Sequence, residues 1–192
     1  SAQSGGVGER DFATAGLLAV SQAAGSTITV DNSGDISVTS ADGRFDTDFN
    51  GIAAGIVTNS FGSGSTTTIT NSGSITATGP QVDGIVGFAR ELSATETSRV
   101  EIVNNGAITA NGTANRGVFA QTQGQSAEID VTNTAAISIT SDNSFGIFAL
   151  HNDIFSPDIN ASQADLSVSN EGEITIAGSN ANGIFVQNNA RT

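Results

Sequence analysis

The sequence predicts an all-β chain wound as a parallel β-helix, or β-solenoid, with three short strands per coil, about five coils and a right-handed winding. Three observations predict it. A nine-residue segment, Ile69-Thr70-Asn71-Ser72-Gly73-Ser74-Ile75-Thr76-Ala77, has four further copies, centred on Asn32, Asn104, Asn133 and Asn170. A second element, glycine followed by an apolar residue, alternates with it at Gly16, Gly51, Gly84, Gly117, Gly146 and Gly183. Finally, apolar residues recur at fixed offsets from each asparagine, so that one copy can be laid over the next.

Two residues before the asparagine stand Val30, Ile69, Ile102, Val131 and Val168, and four after it Ile36, Ile75, Ile108, Ile137 and Ile174. The positions between are mostly Ser, Thr, Asp or Glu. Alternation at period two with β-branched residues describes a strand buried on one side. Matched columns mean that each side chain stacks on its like at the inter-strand spacing of about 4.8 Å. A sandwich would alternate as well, but would not repeat residue for residue. A leucine-rich repeat would need leucines that the chain lacks, and helical repeats have the wrong period.

From asparagine to the next glycine the chain runs 13 residues in four coils (84−71, 117−104, 146−133, 183−170) and 19 in the first (51−32). From glycine to the next asparagine it runs 16, 20, 20, 16 and 24. Insertions of this kind suit outward loops, whose closure entropy grows slowly with length. The third strand is then expected to turn Leu17, Ile52, Ile85, Val118, Ile147 and Ile184 inward, followed two residues on by Ala19, Ala54, Gly87, Ala120, Ala149 and Val186.

At the corner, Asn and Gly tolerate a left-handed backbone, and Asn32, Asn71, Asn104, Asn133 and Asn170 are placed to form a ladder of side-chain amides. Ala135 stands where four coils have glycine, so that corner is either not left-handed or strained. Residues 1–192 read as one solenoid, with 1–13 a cap or frayed end and 14–192 the repeat coils. It is expected to be a length of a longer rod.

Composition narrows the partners. Six basic residues, all arginine, stand against 19 acidic ones, for a formal charge of −13 in 192 residues. Such a surface repels nucleic acid and anionic lipid, so neither nucleic-acid binding nor direct lipid binding is expected. There is no cysteine, hence no disulfide, thiolate nucleophile or cysteine metal site. No apolar run approaches the length of a membrane-spanning helix. Nor does the start, Ser1-Ala2-Gln3-Ser4-Gly5-Gly6, have the regions of a signal peptide.

The strand–Asn-x-Gly–Ile unit, followed by Gly-Ile/Val-Phe-Ala, resembles the β-helical passenger region of bacterial autotransporter adhesins over residues 14–192. The resemblance implies secretion through the outer membrane, display at the bacterial cell surface and tethering by a membrane barrel outside this segment. It also implies adhesion to a host surface protein, matrix or glycan, or self-association between like rods. No catalytic motif or cofactor comes with it.

Three surface features are candidate sites. Phe119, Phe148 and Phe185 follow the inward aliphatic of successive coils, and outward they would form an apolar binding stripe unless a loop covers them. Glu101, Glu128, Asp130 and Asp165, with Arg99, share one outward face. Glu101 and Asp130 at one strand spacing would approach the carboxylate separation of a retaining glycosidase, which makes a polysaccharide-cleaving hydrolase or lyase the alternative function. An outward acidic face is more simply a solvated one. Ser37, Thr39, Thr76, Thr78, Thr109, Ser138, Thr140 and Thr175 form two outward columns, as suits strand surfaces. His151, the one histidine, is expected in the longest loop, and Asp46 and Asp48 in the first-coil insertion are expected in a turn.

Overall fold

The structure is a computed structural model that describes residues 2–4, 14–41, 53–90, 96–124, 126–152 and 163–189. All regular elements among them are strands. The chain enters through β1 (Ala2–Ser4) and then winds in coils of three. The first coil is β2 (Thr14–Ser21), β3 (Thr27–Asn32) and β4 (Ile36–Ser40), and the second β5 (Ala53–Ser60), β6 (Thr66–Asn71) and β7 (Ile75–Pro80). The third is β8 (Val82–Arg90), β9 (Thr97–Asn104) and β10 (Ile108–Thr113), and the fourth β11 (Arg116–Gln123), β12 (Ser126–Asn133) and β13 (Ile137–Thr140). The fifth is β14 (Phe145–Asn152), β15 (Gln163–Asn170) and β16 (Ile174–Ile176), and β17 (Asn182–Asn189) begins another level.

Corresponding strands pair in parallel to give three sheets. Sheet 1 runs β2-β5-β8-β11-β14-β17, sheet 2 runs β3-β6-β9-β12-β15, and sheet 3 runs β1-β4-β7-β10-β13-β16. The fold is the expected β-solenoid. Ala2–Ser4, within the stretch expected to cap the repeat, pair with Val38–Ser40 at the edge of sheet 3.

Register is set by the columns. Ile36, Ile75, Ile108, Ile137 and Ile174 pair in succession along sheet 3, and Val30, Ile69, Ile102, Val131 and Val168 along sheet 2. These residues, with Ile56, Ile85, Val118 and Ile147 of sheet 1, make one continuous core. Burying such a side chain stabilises the fold by about 1.5–3 kcal/mol. A slip of one residue would turn a whole column to solvent.

In the second coil the register differs from expectation. Ile56, not Ile52, occupies the inward column beside Ile85, with Val57 outward and Thr58 opposite Gly87. Gly51 and Ile52 lie outside the described residues. Two glycine–isoleucine pairs four residues apart compete here, and the arm from glycine to asparagine decides between them. With Gly55 it is 16 residues (71−55), as in the first and fourth coils (32−16, 133−117). The first-coil insertion therefore falls wholly between Asn32 and Gly55.

The corner asparagines form the expected ladder. Each Nδ2 donates to the Oδ1 of the next level: Asn32 to Asn71 at 2.8 Å, Asn71 to Asn104 at 2.8 Å, Asn104 to Asn133 at 2.7 Å and Asn133 to Asn170 at 2.8 Å. The same nitrogen donates to the carbonyl two residues on, at 2.8–2.9 Å, in every copy. Both amide hydrogens are thereby used, one closing the corner and the other joining coils.

The corner glycines do not adopt the left-handed backbone, and neither does Ala135. Glycine is there for closeness instead. A Cβ on Gly106 would lie 2.0 Å from the carbonyl oxygen of Gly73, and one on Gly73 would lie 2.1 Å from that of Gly34. At the fourth corner Ala135 takes the glycine's place while the ladder and corner bonds stay the same. The left-handed residues other than glycine gather at the corner between sheets 3 and 1, where Gln81, Ala114, Asn143 and Asn180 have φ of 52–54°, and Gly25 and Gly64 are left-handed between sheets 1 and 2.

Replacing Asn104 by alanine removes two ladder bonds and leaves amide groups of Asn71 and Asn133 unpaired. The expected loss is about 2–4 kcal/mol in urea unfolding, against about 1 kcal/mol for Asn32→Ala at the ladder's half-exposed end.

Candidate functional site

A polar interior residue needs a partner, and an exposed apolar one needs a reason. The outer face of sheet 1 supplies both problems. By alternation Val57, Val86, Phe119, Phe148 and Phe185 turn away from the main core, and they pair in succession level by level. Yet Ala54, Val57, Val86 and Phe119 are buried and form a second apolar cluster, joined by Ala15, Phe148 and Leu150. The expected phenylalanine stripe is therefore graded. Phe119 is 4% exposed, Phe148 is half-buried and Phe185 is 36% exposed. The rings touch along the stack, Phe119 to Phe148 at 5.2 Å and Phe148 to Phe185 at 5.3 Å between centroids. Phe145 lies 4.8 Å from Phe148.

Within this layer sits an ion pair. Asp83 and Arg116 each precede the glycine of their strand, and 0% and 6% of them is exposed. Arg116 donates from Nη2 to Asp83 Oδ2 at 2.6 Å and from Nε to Oδ1 at 3.0 Å, and its backbone N–H reaches Oδ1 at 2.9 Å. The guanidinium also lies over the Phe119 ring, 3.6 Å from its centroid, a cation–π contact. Burial pushes the Asp83 carboxyl above its ordinary range, and the Arg116 charge and hydrogen bonds pull it back. The columns carry this pair in plain view, as Asp83-Gly84 and Arg116-Gly117 one coil apart. Composition alone gave no reason to look there.

The acidic residues lie on sheet 2 as expected. Glu128 pairs with Arg99 on one side and Asp165 on the other, and Asp130 pairs with Glu101. Arg99 spans two of the carboxylates, Nη1 to Glu128 Oε1 at 2.6 Å and Nη2 to Glu101 Oε2 at 3.6 Å. All three side chains are about one-third or more exposed, so these bridges contribute about 0–1 kcal/mol each. Glu128 and Asp165 also line an open cleft with Thr97, Ser126, Gln163 and Asn188. Among the described residues no three His, Asp or Glu side chains are grouped so as to hold a metal ion.

Sheet 3 carries the hydroxyl columns. Ser37, Thr76, Thr109, Ser138 and Thr175 pair in succession, and Thr39, Thr78, Asn111 and Thr140 form the second column. Asn111 fills the place where the first, second and fourth levels have threonine. Asp35 accepts from both the backbone N–H and the hydroxyl of Ser74, at 3.0 and 2.6 Å. Those bonds hold its carboxyl below the usual range.

His151 corrects the loop expectation. It lies on β14, fully buried, with Nδ1 3.1 Å from the Thr122 hydroxyl. Its place at the end of an alternating strand, rather than the polar residues after it, fixes its position. Asp46 and Asp48 lie outside the described residues.

No known protein family, curated protein or solved structure matches this chain. Its residues must speak for themselves.

Asp83→Ala removes the buried carboxylate that Arg116 bonds through Nη2, Nε and its backbone N–H, and is expected to cost about 3–5 kcal/mol in chemical unfolding. Asp83→Leu with Arg116→Met removes both charges and should recover most of that loss. Asp35 and Asp83 act in opposite senses with pH. The lowered folded pKa of Asp35 means that its contribution is present above the unfolded value and lost as pH falls through the folded one. Asp83, with a raised folded pKa, loses stability as pH rises between the two values. An NMR titration should find the Asp35 pKa moved upward in Ser74→Ala.

Proposed function

We propose that this chain is an adhesive rod, the passenger segment of a bacterial surface protein secreted through the outer membrane and tethered there by a barrel. The observation that carries the reading is the in-register stack itself. Each level repeats the same three faces, so a contact made through the hydroxyl columns of sheet 3 or the phenylalanines of sheet 1 has neighbours of like chemistry on adjacent levels. An array of this kind is suited to many weak contacts in concert, whose avidity exceeds a single contact by on the order of a hundredfold or more. Strong negative charge keeps such a surface soluble and discourages nonspecific contact. The target is a host surface protein, matrix or glycan, or a neighbouring rod.

The repeat texture supports the same reading. It resembles adhesin passengers in its Asn-x-Gly corners, its Gly-Ile/Val-Phe-Ala strands and its lack of cysteine. The paired Glu101 and Asp130 do not favour the polysaccharide-cleaving alternative, because Arg99 lies against Glu101 and a second carboxylate, Glu128.

Beads coated with the protein are expected to adhere to matrix-coated or cell-coated surfaces, or to clump with one another, and adhesion should fall steeply as coating density is reduced. Absence of both adhesion and clumping at every density would overturn the proposal. So would turnover of an acidic polysaccharide that is lost in Glu101→Ala.

A further inference from the structure

Four asparagines are followed by glycine: Asn50, Asn105, Asn111 and Asn182. Asn50 lies outside the described residues, Asn111 lies within β10 and Asn182 opens β17. Asn105 is placed differently. With Gly106 it makes the third corner, after β9 has ended at Asn104 and before β10 begins at Ile108. The other four corners have Ser33, Ser72, Thr134 and Glu171 at its position, none of which carries a side-chain amide.

The stack fixes the surroundings of this asparagine. Asn105 is exposed, and its Oδ1 accepts from the Thr134 hydroxyl of the next coil at 2.8 Å. Its backbone N–H donates to the Asn71 carbonyl of the coil before at 2.7 Å. Gly106 lies where a Cβ would come 2.0 Å from the Gly73 carbonyl oxygen, and its own carbonyl accepts from Asn104 Nδ2 at 2.9 Å.

An asparagine before a glycine is open to attack by the next backbone nitrogen on its side-chain carbonyl, because no Cβ on the following residue obstructs closure of the five-membered ring. Negative charge then develops on Oδ1 as Cγ becomes tetrahedral. The Thr134 hydroxyl is already directed at that atom, as an oxyanion donor must be.

We propose that Asn105 is a site of self-modification, where the Gly106 nitrogen displaces the side-chain amide with Thr134 as the oxyanion donor. The Gly106 N–Cγ bond forms, the Gly106 amide proton passes to solvent, and the Cγ–Nδ2 bond breaks as ammonia leaves. Water then opens the succinimide. Cleavage of the new N–Cγ bond leaves an aspartate, and cleavage of the original peptide bond leaves an isoaspartate, whose backbone runs through Cγ and is one carbon longer. One water is consumed and one ammonia released, with no change of oxidation state. Both products add a carboxylate to the corner. The longer backbone also separates Asn104 from the Gly106 carbonyl that holds its Nδ2, so the ladder loosens between the third and fourth coils. The rod thereby carries a chemical clock at one defined level.

The test incubates the whole folded chain at mildly alkaline pH and follows each asparagine by peptide mapping and mass spectrometry, with the urea-unfolded chain as the reference. Conversion of Asn105 to aspartate and isoaspartate is expected in the folded chain. It should slow about tenfold in Thr134→Val, recover in Thr134→Ser, and stop in Asn105→Gln. Thr134 and Asn105 are both exposed, and unchanged circular dichroism would confirm that the variants fold. The rates at Asn111 and Asn182 serve as internal references and should not change in Thr134→Val. The isolated isoaspartyl form should unfold at a lower urea concentration than Asn105→Asp. An Asn105 still intact in the folded chain when the unfolded chain has converted would overturn the proposal. So would a rate unchanged in Thr134→Val, or one that falls equally at Asn111 and Asn182.

Discussion

Register between coils is the constraint from which the rest follows. A parallel solenoid has no hairpins to fix the pairing of its strands, so each coil must find its place by side-chain identity alone. The asparagine ladder does this with polar precision, since an Nδ2 shifted by one residue meets a strand rather than an Oδ1. The isoleucine column beside it does so by volume, because the same residue lies above and below. Each device is worth little at one level. Repeated at every level they exclude the alternatives, since a slip cannot satisfy any of them.

Glycine completes the arrangement by permitting approach. At Gly84 and Gly117 a Cβ would fall 2.5 and 2.6 Å from the carbonyl of the next level, and 2.6 Å from the isoleucine of sheet 3. The strand bends there, and the register of sheet 1 skips each glycine. Residues on either side of the bend are thus turned outward together. That is how Asp83 and Arg116 reach the same layer as Val86 and Phe119.

Much of this was legible in the residues. Asn32, Asn71, Asn104, Asn133 and Asn170 announce the ladder because a side chain that bonds its own kind must recur unchanged. Their flanking isoleucines and valines announce the inner face for the same reason. In the second coil Gly51-Ile52 and Gly55-Ile56 satisfy the same local pattern, and only the distance to Asn71 separates them. The asparagine–glycine corner is not left-handed, since both residues stand there for bonding and for closeness. The depth at which each phenylalanine lies was beyond the pattern altogether. Alternation gives the side of a sheet on which a residue stands, and burial on the outer side depends on what else covers it, as Phe119 shows beneath the Arg116 guanidinium.

The parallel sheets carry one more implication. Their backbone hydrogen bonds run along the long axis, from Asn32 toward Asn170, while the strands lie across it. A force that pulls such a rod lengthwise from its two termini does not shear a whole sheet at once. It peels one coil at a time, each releasing its length of chain before the next is loaded. A structure stiff at rest thereby yields in steps under tension, lengthening where a brittle tether would snap.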